Sequence, residues 1–151
     1  MEKKLSIFNA GKKRFLTACM ISFAVLFMTS CTKDGKYDGT TWTGSLSTHQ
    51  EYVGGTVDSD FDFTVTFSSD DDVLVKLHSE TARYREAFGD TLRETINKNY
   101  YGTYSSKKSN VELVIDTEIW SGTATEDEMT LDVKLTDQLI YNEKLVLTRQ
   151  Q

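Results

Sequence analysis

Apolar and polar side chains take turns along most of the second half of this chain. Phe61, Phe63, Val65 and Phe67 alternate with Asp62, Thr64, Thr66 and Ser68. Successive side chains of an extended strand point to opposite faces, so the stretch predicts a half-buried strand with one aromatic-aliphatic face. Ser69-Asp70-Asp71-Asp72 then reads as a turn, and Val73, Val75 and Leu77 resume the alternation, which makes a hairpin. Downstream, Val111, Leu113 and Ile115 repeat the pattern, and the runs 119–125 and 129–135 flank the acidic turn Glu126-Asp127-Glu128. Leu145, Leu147 and Arg149 share one face of the last strand.

With strands near 41–50 and 98–106 added, the count is eight, joined mostly by short polar turns. Proline is absent, which suits long unbroken strands, because a proline inside a sheet removes a ladder donor. The expected fold is all-β: an eight-stranded antiparallel up-and-down barrel over residues 41–151. Closure removes the exposed edges that invite aggregation. A two-sheet sandwich is the competing arrangement, and the short sequential hairpins favour the barrel.

Residues 81–97 interrupt the meander. Tyr84, Phe88, Leu92 and Ile96 stand at i, i+4 spacing, which would stripe a helix, while Gly89-Asp90 would equally turn an extended hairpin arm. The sequence leaves both readings open. Long interruptions are where binding functions concentrate, so this segment is a candidate rim or lid.

The N-terminal third follows a different logic. Lys3, Lys4, Lys12, Lys13 and Arg14 precede an apolar run from Phe15 to Met28, and Met28-Thr29-Ser30-Cys31 follows. The run has 14 residues, short of the ~20 that a spanning helix needs. A basic region, a short apolar core and small residues before a cysteine make a secretory signal over residues 1–30. A second box, Leu16-Thr17-Ala18-Cys19, has almost no apolar run between Arg14 and the cut, so Cys31 is preferred. Residues 31–40, polar and holding two glycines, read as a flexible tether. The segment resembles bacterial lipoprotein signals. That resemblance implies cleavage before Cys31 and its lipidation, with several acyl chains making a durable membrane anchor. Thr32, where an Asp would suggest inner-membrane retention, points to an outer-membrane lipoprotein of the cell envelope, facing periplasm or exterior.

Removing residues 1–30 takes five basic residues and one acidic residue from totals of 17 and 23, leaving 12 against 22 and a net charge of −10. Such a surface excludes nucleic acid as a partner and leaves membrane contact to the lipid. Cys19 departs with the signal and Cys31 is acylated, so packing holds the fold without a disulfide.

The sequence offers no catalytic motif. His49 and His78 sit in different strands, no Cys/His cluster has zinc spacing, and neither a nucleophile elbow nor a phosphate loop is present. No enzyme activity, cofactor or metal is expected. The acidic turns at 70–72 and 126–128 lack a defined calcium loop and read as solvated hairpin tips.

Gly39-Thr40-Thr41-Trp42-Thr43-Gly44, Tyr101-Gly102-Thr103-Tyr104, Trp120-Ser121-Gly122-Thr123 and Leu145-Val146-Leu147-Thr148-Arg149 give the chain its likeness to a family. Taken together, they resemble the lipocalin-like (calycin) lipoproteins of the Bacteroidetes type. The resemblance implies that Trp42 lies at the closed end of the barrel with Arg149 stacked over it. It also implies a non-enzymatic protein binding a small hydrophobic or amphipathic ligand, for which Phe63, Phe67, Tyr104 and Trp120 are the candidate contacts. The alternative is a packed-core interaction module, an inhibitor or accessory subunit meeting an envelope protein. An eight-stranded barrel is just wide enough for its own side chains to fill, so the interior decides between the two.

Overall fold

The computed structural model describes residues 36–151; the expected signal segment 1–30, Cys31 and residues 32–35 lie outside the described residues. Eight strands run in sequence: β1 (Thr41–Tyr52), β2 (Gly55–Phe67), β3 (Asp72–Arg85), β4 (Asp90–Lys107), β5 (Asn110–Ile115), β6 (Glu118–Ala124), β7 (Glu128–Leu135) and β8 (Ile140–Arg149). Each pairs antiparallel with the next, and β1 pairs with β8 to close an up-and-down barrel of lipocalin-like architecture.

The alternation read in the sequence sets which side chains meet. Phe63, Val65 and Phe67 on β2 stand opposite Leu77, Val75 and Val73 on β3, and all six are buried. Met129, Leu131, Val133 and Leu135 line the same interior from β7, and Leu145 and Leu147 line it from β8. A cylinder this narrow makes its walls approach closely, and glycine permits it at several places, Gly44 and Gly122 among them. A Cβ on Gly44 would sit 2.1 Å from the Val146 carbonyl oxygen, and one on Gly122 1.9 Å from that of Thr130. Each of these two glycines stands two residues after a buried tryptophan, Trp42 or Trp120, so bulk and its absence alternate along one face.

Residues 36–40, expected as part of a tether, instead form a turn that plugs the barrel where β1 begins. Tyr37 is 1% exposed and meets Trp42 edge-on at 6.0 Å and Phe67 at 5.8 Å. Thr40 Oγ1 donates to the Tyr37 carbonyl at 2.5 Å and accepts from Trp42 Nε1 at 2.8 Å. An aromatic ring that can seal an apolar mouth outweighs the turn-forming composition around it.

The opposite end is built differently. Strands β1 to β4 are 12, 13, 14 and 18 residues long, whereas β5 to β8 have 6, 7, 8 and 10. β4 pairs with β5 only from Gly102 onward, and β1 with β8 only at Trp42 and Thr43. Four strands therefore project past the other four. The ambiguous segment 81–97 lies here and is a hairpin arm, with Arg85 opposite Asp90 across a turn holding Gly89 at φ +62°. Tyr84 and Leu92 lie on opposite faces of it, so their helical spacing had no packing partner to make use of.

Candidate functional site at the open rim

The four aromatics singled out as ligand contacts are brought together, but against one another. Phe63 meets Trp120 edge-to-face at 6.0 Å, and Phe67 meets Tyr104 edge-to-face at 4.8 Å. None is more than 4% exposed. Trp120 Nε1 donates to the Lys134 carbonyl at 2.8 Å, and the Tyr104 hydroxyl donates to the Asp38 carboxylate. Burial, and then the bond to Asp38, push the Tyr104 hydroxyl pKa well above its usual value. These rings are core: their polar atoms are satisfied inside the protein and their faces are occupied.

Trp42 and Arg149 are register partners across the β1–β8 seam. The ring that meets Trp42 among the described residues is Tyr37, while the Arg149 side chain is exposed. The plug supplies an aromatic ring beside Trp42, while Arg149 stands opposite it across the seam.

Space opens at the projecting end. A cleft of about 120 Å³ lies on the concave face of the extension, floored by Phe61 and Ile96 and flanked by Thr48, Ser59, Arg83 and Glu94. Its far wall is a single 3₁₀ turn, Thr136–Gln138, between β7 and β8, which ends at Leu139 with φ +58°. That conformation is uncommon for a branched residue and is held by flanking contacts. Asp137 accepts from Lys98 Nζ, from the Tyr100 hydroxyl at 3.0 Å and from Gln138 Nε2 at 3.3 Å, fastening the turn to β4. Burial works to raise the Asp137 pKa, but these donors outweigh it and hold the carboxyl below the usual carboxylate range. Burial, reinforced by Asp137, raises that of Tyr100. On the other side Gln50 Nε2 reaches the Leu139 carbonyl at 3.4 Å.

The cleft is small beside the ~300–1,000 Å³ of ordinary ligand pockets, and its walls are mostly polar. A larger depression of about 410 Å³, bordered by Ser105, Lys107, Glu112, Ser121 and Asp132, lies outside β4–β7 and opens to solvent. Among the described residues no three His, Cys, Asp or Glu side chains stand close enough together to hold a metal ion. On the extension His49 is exposed and His78 half-buried, hydrogen-bonded to Asp58 and Asn97, and those bonds raise both pKa values.

Beyond the cleft, the tips of the two hairpins carry apolar groups into water. Val53, Phe88, Leu92, Tyr52 and Tyr84 are all exposed, and the Arg85 guanidinium lies 4.5 Å over the Phe88 ring. Tyr52 crosses Gly55 to donate to the Tyr84 carbonyl at 2.9 Å, tying the first hairpin to the second. Asp137, Lys98 and the plug residues Tyr37 and Asp38 carried no signal in the sequence beyond being polar or lone aromatic positions. Only the pairing of distant strands makes them neighbours.

No family model matches this chain, and no curated protein or solved structure is significantly similar to it. The lipocalin-like architecture rests on strand order and closure alone.

Proposed function

We propose that this protein is a non-enzymatic binding module of the bacterial cell envelope, tethered by acyl chains on Cys31, which engages an envelope protein with its projecting end. One observation supports the reading: Phe63, Phe67, Tyr104 and Trp120 spend their surface on each other, so these four rings offer no wall to a guest. The apolar surface that remains available is at the hairpin tips, on Val53, Phe88 and Leu92. Exposed aromatic and aliphatic groups rimmed by charge are what protein-binding surfaces present. The acyl anchor and the envelope address are carried by the signal-like segment ending at Cys31.

The test is capture from envelope extracts. The full-length protein should retain a defined partner, and the Val53→Ser/Phe88→Ser double variant should lose it while melting at the same temperature. Equal capture by both chains would overturn the assignment of the tips. A Cys31→Ser protein that still fractionates with membranes would overturn the lipid anchor.

A small-ligand reading is favoured by a single feature, the rim cleft floored by Phe61 and Ile96 with Arg83 and Glu94 on its wall. Its guest would be small and amphipathic. Native mass spectrometry of protein isolated from cells would detect one, and Phe61→Ala should release it.

A further inference from the structure

The barrel closes, yet β4 keeps a long open edge. It pairs with β3 from Asp90 to Thr103 without a register break, whereas β5 joins its other side only at Gly102. Backbone groups in an antiparallel strand point alternately to either neighbour. The Tyr104 amide donates to the Asp71 carbonyl at 2.8 Å, on the β3 side, so even-numbered residues bond β3 and odd-numbered ones face outward. Arg93, Thr95, Asn97 and Asn99 therefore present their N–H and C=O groups to the free side, and all four are exposed. Native edges are usually blunted by proline, a bulge, brevity or charge; this one is long, has neither proline nor bulge, and carries charge on Arg93, Glu94 and Lys98.

We infer that the β4 edge pairs with the same edge of a second copy of this chain, antiparallel, with Ile96 opposite Ile96 on the two-fold axis. The register follows from the side chains. Centred there, Glu94 of each copy stands opposite Lys98 of the other, Thr95 opposite Asn97 and Arg93 opposite Asn99. Every outward-facing amide and carbonyl in that span then meets its counterpart. Centring on Glu94 would set two carboxylates face to face, and centring on Thr95 would set Leu92 against the Lys98 ammonium. Glu94 has no ion-pair partner among the described residues, and Lys98, which holds Asp137, is half-exposed and open to a second carboxylate. The pairing joins two four-stranded extensions into one eight-stranded sheet whose concave clefts share a side. It is isologous, so it closes at two copies. This inference goes beyond the proposed function and stands or falls separately from it.

The experiment uses the full chain in detergent. Opposed positions on a two-fold axis bring their Cα atoms to ~4.5–5.5 Å, within disulfide range, so Ile96→Cys should give a disulfide-linked dimer on mild oxidation. Glu112→Cys, on the exposed outer face of β5, should not. In sedimentation equilibrium, Thr95→Pro removes an outward N–H that bonds nothing within one copy, and should weaken dimerisation by about tenfold or more with unchanged circular dichroism. A full chain that stays monomeric, assembles beyond two copies, or cross-links through residue 96 no better than through 112 overturns the pairing. So does a β4 edge that pairs only with another protein. Should Thr95→Pro fail to fold, the cross-linking pair of variants alone decides.

Discussion

The two ends of this barrel use the same strands for opposite purposes. Where all eight strands meet, Tyr37, Trp42, Phe67 and Tyr104 pack ring against ring and exclude water. Where only β1–β4 continue, the concave face turns to Thr48, Ser59, Thr81 and Glu94, and the apolar residues move to the tips. Tyr37 is 1% exposed and Phe88 is 72% exposed, although both sit in short turns of similar polarity. Burial of an aromatic ring requires walls on several sides, and a four-stranded sheet supplies only one. The closed end is therefore where stability resides, and the open end is where surface is left for recognition.

Substitution tests that division most severely with the largest side chains. Trp42→Ala should cost about 3–5 kcal/mol in urea unfolding, while Phe88→Ala should stay within about 0.5 kcal/mol of the parent. Comparable losses at the two sites would erase the distinction. A smaller effect of the same origin is expected at Gly122→Ala. Its new methyl would strike the Thr130 carbonyl, so the two strands must shift, at about 1–3 kcal/mol with the melting temperature lowered accordingly. Smaller again, Tyr104→Phe removes the bond to Asp38 that pins the plug, and should cost about 1 kcal/mol. Amide exchange should then quicken at residues 37–40 before it does so in the strands.

The mildest prediction concerns pH at the open end. Asp137 has a folded-state pKa below its unfolded value, so it contributes stability above the ordinary carboxylate range and loses it as pH falls through the folded value. The group is more than a third exposed, so after solvent screening its share is below about 1 kcal/mol. Asp137→Asn should flatten that limb of the stability profile while leaving Trp42 fluorescence at the closed end unchanged. A profile that keeps its acid limb in the variant would place the titration elsewhere.

Much of the closed end was legible in advance. Alternation is local, so Phe61, Phe63, Val65 and Phe67 declared their face, and the acidic turns at 70–72 and 126–128 declared the hairpins. The site was far less so. Phe63 and Trp120 were recognisable as inward-facing, but whether they met a guest or each other depended on the barrel's width. The arm at 81–97 was ambiguous because its apolar residues satisfy a helical spacing and a turn signal alike. Arg85 and Asp90, closing the turn with paired hydrogen bonds, settle on the hairpin because β2 already lies beside β3 to receive it.

By itself, the sequence determined the class, most of the strands and their inward faces, since these follow from the period of neighbouring side chains; closure into a barrel rather than a sandwich came from the pairing of β1 with β8. The sequence also carried the signal-like segment and Cys31, which are read from composition and position. Tertiary structure alone decided that the interior aromatics pack on one another, that Tyr37 seals one mouth, and that β4 leaves an open edge at the other. These depend on strand lengths matched across the barrel and on residues far apart in the chain. No local pattern encodes how much wall surrounds a given ring.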